Sequence, residues 1–125
     1  MSHPLIDRLT TDLGWPVVDT EEDASAFLAR PGVHCLFVPG DPERNLETAD
    51  AAVILPELRA AFQGAFDCAV VGDPIETATR ERHGVLKTPG FLFFHEGRMT
   101  GAIAKIRDWS DYVDRVGHIL RQSAT

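Results

Sequence analysis

Three short apolar runs, each closed by turn residues, constrain this chain more than any other feature. Val33-His34-Cys35-Leu36-Phe37-Val38 lies between Gly32 and Pro39-Gly40. Phe66-Asp67-Cys68-Ala69-Val70-Val71 stops at Gly72-Asp73-Pro74, and Phe91-Leu92-Phe93-Phe94-His95 stops at Glu96-Gly97. Each is too short for a typical helix and reads as a strand. The first is almost unbroken in its apolar character, which suits a central strand covered on both faces. Glu96-Gly97 is a two-residue hairpin signal, with Met99 to Ala104 as the returning strand.

Helical patterns fill the intervals between strands. Leu5, Ile6, Leu9 and Leu13 share one face of a helix that starts at Pro4 and stops at Gly14. Trp15-Pro16-Val17-Val18-Asp19 is a short extended segment. Thr20 then opens a second helix as a hydroxyl cap, with Glu21, Glu22 and Asp23 in the first turn, where the helix dipole favours acids. Phe27 and Leu28 supply its apolar face, and Pro31-Gly32 ends it. A long helix is expected from about Thr48 to Gln63, with Pro56 kinking it. A short one runs from Ile75 to Arg82. The last is capped by Asp108 and presents Trp109, Tyr112, Val113, Val116, Ile119 and Leu120 as an amphipathic face. With no repeat, low-complexity tract or linker, residues 1–125 read as a single domain, long enough to bury a core without metal or disulfide staples.

Twelve Lys and Arg against nineteen Asp and Glu give a net charge of −7. Nucleic-acid binding needs a concentrated basic surface, so that role is excluded. No apolar run reaches the roughly 20 residues of a membrane helix, so membrane insertion is not expected. The N-terminus lacks a basic region followed by an apolar stretch, and the expected location is the cytoplasm. Cys35 and Cys68 sit inside apolar runs and read as small buried hydrophobes, with a disulfide as the lesser alternative. His3, His34, His83, His95 and His118 show no ligand-like spacing, so no metal site is expected. No phosphate-loop pattern occurs, and no cofactor is called for.

This order of elements, with Thr88-Pro89 before an apolar strand and hairpin, resembles the thioredoxin fold. That likeness implies an α/β, thioredoxin-like architecture: a mixed central sheet with helices on both faces. Thr88-Pro89 resembles the cis-proline turn of thioredoxins, and Pro56 their helix-kinking proline. Counting back from Pro56, the thioredoxin dithiol falls at Thr48 and Ala51 in Thr48-Ala49-Asp50-Ala51. Dithiol chemistry needs a thiolate nucleophile and a resolving thiol, and neither is present there. The acid that thioredoxins bury in the central strand is missing as well.

The whole chain is similar to the HyaE/HupG hydrogenase expression/formation proteins, thioredoxin-like and without the dithiol. Trp15-Pro16-Val17-Val18-Asp19, Phe37-Val38-Pro39-Gly40-Asp41-Pro42 and the helix from Asp50 to Leu58 carry that likeness. The resemblance implies a non-enzymatic chaperone for a nickel–iron hydrogenase. Its partners would be the small subunit, held through a twin-arginine signal peptide, and other maturation proteins. The fold likeness makes Thr88, held by Pro89, the residue that offers main-chain groups to an extended peptide; the alternative is that Thr88-Pro89 only shapes a turn. Asp41, Glu43, Glu47 and Asp50 cluster beside the vacated dithiol, and Glu43, Glu47 and Asp50 are candidate carboxylates for the two guanidinium groups. They can equally be a solvated acidic loop at a helix N-terminus. Two other readings remain open: a thiol-dependent oxidoreductase using Cys35 or Cys68, and a generic interaction domain.

Overall fold

A computed structural model describes residues 3–123. Ten elements follow one another: α1 Pro4–Thr11, β1 Val17–Val18, α2 Glu21–Leu28, β2 Val33–Val38, α3 Glu47–Ala61, β3 Phe66–Val71, α4 Asp73–Arg82, β4 Gly90–His95, β5 Arg98–Ala104 and α5 Trp109–Ser123. The strands form one sheet in the order β1-β3-β2-β4-β5. β1, β2 and β3 run parallel, while β4 pairs antiparallel with both β2 and β5. This is the mixed sheet of a thioredoxin-like fold.

The apolar runs are continuous because both faces of each inner strand are covered. Cys35, Phe37, Cys68, Val70, Phe91 and Phe93 point into one core with Ile6 and Leu9 of α1, Leu55 and Leu58 of α3, and Tyr112 and Val116 of α5. Leu36, Val38, Ala69, Val71, Leu92 and Phe94 point the other way, against Phe27 and Leu28 of α2 and Ile75 of α4. The T-shaped Phe37–Phe91 and Phe66–Phe93 pairs tie the strands together across the first core.

Local chemistry accounts for the element ends. Thr20 Oγ1 accepts from the Asp23 amide at 3.0 Å and starts α2. Glu96 and Gly97 both take positive φ, 53° and 79°, as a tight two-residue hairpin requires. α3 keeps Pro56 inside it. Two residues of the expected apolar stripes lie outside the cores. Leu13 is 40% exposed because α1 stops at Thr11, and Trp109 is 46% exposed at the first residue of α5.

Candidate functional site

The candidate site lies at the end of the sheet where β2 leaves through Pro39-Gly40, α3 begins and the Thr88–Pro89 peptide bond, which is cis, leads into β4. Glycine at position 40 is required twice over. Its φ is +81°, and a Cβ added there would run into Thr88 Oγ1 and stand 2.8 Å from Thr88 Cβ. The loop thus lies flush against the turn. Its amide donates to Glu76 Oε1 at 2.6 Å, so an acid from α4 braces the end of β2.

Asn45 joins the loop to the turn. Its Nδ2 donates to the Thr88 carbonyl, and its Oδ1 accepts from the Glu47 amide at 3.0 Å. The Pro89 carbonyl accepts from the Lys105 amide at 2.8 Å. The Thr88 and Pro89 carbonyls therefore each take one hydrogen bond from within the chain. Thr88 is half-buried and Pro89 buried.

The vacated dithiol positions have sunk beneath the surface. Thr48 is fully buried, with Oγ1 donating to the Pro39 carbonyl at 2.7 Å, and Ala51 is buried beside it. Of Thr48-Ala49-Asp50-Ala51, Ala49 and Asp50 reach solvent. Glu43 and Asp50 are exposed and Glu47 is half-buried. No ion pair to Glu43, Glu47 or Asp50 occurs among the described residues, whereas Asp41 pairs with Arg44 at 3.7 Å. Burial pushes the Tyr112 hydroxyl above its ordinary range, with Arg107 opposing and the Glu47 and Asp111 carboxylates adding to it. The same hydroxyl donates to the Lys105 carbonyl at 3.0 Å. Two large apolar side chains complete the site. Leu46 is 85% exposed and Leu86 is 82% exposed, each within two residues of one partner of the Asn45–Thr88 hydrogen bond.

Residues 5–112 match the family described as hydrogenase-1 expression protein HyaE. The chain belongs to the HyaE family. It is 65% identical over 119 residues to the hydrogenase expression/formation protein HupG of Rhodobacter capsulatus, covering 95% of this chain and 86% of that one. It is 38% identical over 120 residues to HoxO, an Azotobacter vinelandii protein of the same description, covering 96% and 80%. A solved HupG structure from Rhodopseudomonas palustris superposes with a TM-score of 0.60 at 37% identity, over 88% of this chain and 98% of that one. A Plasmodium falciparum thioredoxin superposes with a TM-score of 0.64 at 8% identity, over 86% and 97%, a likeness of fold alone.

In this HyaE-family chain the cysteines lie far from the cis-proline turn. Cys35 and Cys68 sit opposite one another on β2 and β3, both free and buried. Burial, reinforced by a hydrogen bond with Cys68, pushes the Cys35 thiol well above its ordinary range. That is the reverse of the depressed value a nucleophilic thiolate needs. Among the described residues, no three His, Cys, Asp or Glu side chains gather as metal ligands. No helix there is long and apolar enough to cross a membrane. Sequence reasoning missed Asn45, Leu46, Glu76 and Leu86. The bare leucines alone left a signal, as apolar residues stranded among turn formers.

Proposed function

We propose that this protein is a non-enzymatic maturation chaperone for a nickel–iron hydrogenase, working as a single thioredoxin-like domain in the cytoplasm. Its ligand is the hydrogenase small subunit, held through the twin-arginine signal peptide before export. Membership of the HyaE family supports the hydrogenase connection. The observation that carries the finer reading is one end of the fold with two nearly bare leucines beside three carboxylates that lack ion pairs. Exposed apolar side chains mark interaction sites where they gather, and Leu46 and Leu86 flank the two partners of one hydrogen bond. A cationic peptide that continues into an apolar stretch complements both features, because carboxylates bind guanidinium through charge-assisted paired hydrogen bonds.

The test is titration of a hydrogenase small-subunit signal peptide against the native protein and the triple variant Glu43→Gln, Glu47→Gln, Asp50→Asn. Exposed charge pairs are worth about 0.2–1 kcal/mol each, so the triple variant should bind roughly tenfold more weakly. Its affinity should also lose most of its dependence on salt. Unchanged affinity with unchanged salt dependence removes the electrostatic part of the reading.

A further inference from the structure

Resting on the signal-peptide reading, we infer that the apolar stretch after the arginines docks as an α-helix, gripped by side chains, and not as a strand added at the cis-proline turn. A strand added beside Thr88-Pro89 would have to share main-chain acceptors that already take one hydrogen bond each. Asn45 Nδ2 donates to the Thr88 carbonyl and the Lys105 amide to that of Pro89. Gly40 also packs against the Thr88 side chain without room for a methyl group, which holds the loop against the turn. A peptide lying over bare apolar side chains gains by pairing its own N–H and C=O groups, and a helix does that within one segment.

The side chains on offer match a helix. Leu46, Ala49 and Val53 follow one another at spacings of three and four along the start of α3, so they share a face. Leu46 and Val53 are exposed, at 85% and 43%, and Ala49 is half-buried. Leu86, 82% exposed, lies two residues before Thr88, the hydrogen-bond partner of Asn45. A ridge of small and branched residues, with a further bare leucine near its start, receives an amphipathic helix by ridge-and-groove packing. Charge selects the occupant. Glu43, Glu47 and Asp50 surround the start of that ridge, so the segment entering it carries its cations at one end and is apolar beyond them.

The experiment titrates the native protein with a 13C,15N-labelled synthetic peptide containing the two arginines and apolar stretch of a hydrogenase small-subunit signal. The bound peptide should show helical 13Cα shifts through the apolar stretch. A single proline in the middle of that stretch should weaken binding roughly 100-fold, the cost of a helix-interior proline. Leu46→Ser and Leu86→Ser should each weaken it about tenfold or more, because both side chains are bare in the free protein and their loss leaves the fold intact. Extended 13Cα shifts, or a proline peptide that binds as well as the parent, overturn the helix while leaving the signal-peptide reading in place. Unchanged affinity in both serine variants overturns the role given to the bare leucines. Failure of the unmodified peptide to bind overturns the signal-peptide reading and the helix with it.

Discussion

Replacing Asn45 by alanine tests whether one carboxamide holds the loop before α3 against the cis-proline turn. Two hydrogen bonds disappear: Nδ2 to the Thr88 carbonyl, and the Glu47 amide to Oδ1 at 3.0 Å. Both are part-buried, so each contributes about 1 kcal/mol net, and water can replace some of what is lost. The expected loss is about 2 kcal/mol. With a urea slope of about 1–3 kcal/mol/M for a small domain, the unfolding midpoint should fall by roughly 1 M. Asn45→Asp separates the two bonds. It keeps the acceptor for the Glu47 amide and puts negative charge at the start of α3, but it has no donor for Thr88. Its loss should be near half that of Asn45→Ala. Amide exchange provides a local readout: Glu47 should exchange faster in the alanine variant and stay protected in the aspartate variant. A loss below about 0.5 kcal/mol for Asn45→Ala, or an unchanged Glu47 exchange rate, refutes the argument.

Other predictions concern backbone, thiols and pH. Gly40→Ala should destabilise by about 2–4 kcal/mol, adding steric conflict with Thr88 to the cost of positive φ, whereas Gly97→Ala should cost about 1 kcal/mol. At Gly97 φ is +79°, with nothing within 4 Å of the added methyl. Equal losses in urea titrations would refute the packing argument. Cys35 and Cys68, 0% and 3% exposed, should react with a thiol reagent no faster than the protein unfolds. Rapid labelling of the native state, with insulin reduction, would instead restore the thiol-enzyme alternative. Burial first, and then the Arg82 charge, lower the His83 pKa from its ordinary 6.5, with Glu21 opposing. A base whose folded value lies below its unfolded value adds stability that is full above pH 6.5 and lost as pH falls through the folded value. His83→Gln should flatten that acid-side loss, and an NMR titration midpoint at or above 6.5 would refute it.

The fold was legible wherever local chemistry dominates. The apolar runs became β2, β3 and β4, Thr20 became a helix cap, and Glu96-Gly97 became the hairpin, because each depends on residues only a few positions apart. Helical stripes misled at their ends. Leu13 and Trp109 continue a periodic pattern, but periodicity carries no information about where the opposing sheet stops. The acids of the site could be read directly, since charge is a property of residue type. Asn45 could not: within a loop rich in Gly, Pro and Asp it reads as a turn residue, and its partner lies 43 positions away. The same holds for Glu76, 36 positions from the Gly40 amide that it accepts from.

Those two long-range contacts alter what the missing dithiol means. Two substitutions at positions 48 and 51 would remove the thiols and leave the surface of a thioredoxin otherwise intact. Here Thr48 is buried and bonded to the Pro39 carbonyl, Ala51 packs in the core, and Asn45 donates to the Thr88 carbonyl. A cysteine returned to position 48 would lie where burial disfavours the thiolate, out of reach of a disulfide substrate. These features form one set: the helix start is buried, the loop is bonded to the turn, and Leu46 is bare on that loop. A surface that in a thioredoxin meets a peptide through its main chain here presents bare side chains beside that main chain. An apolar, cationic-ended helix is the peptide form best suited to that surface.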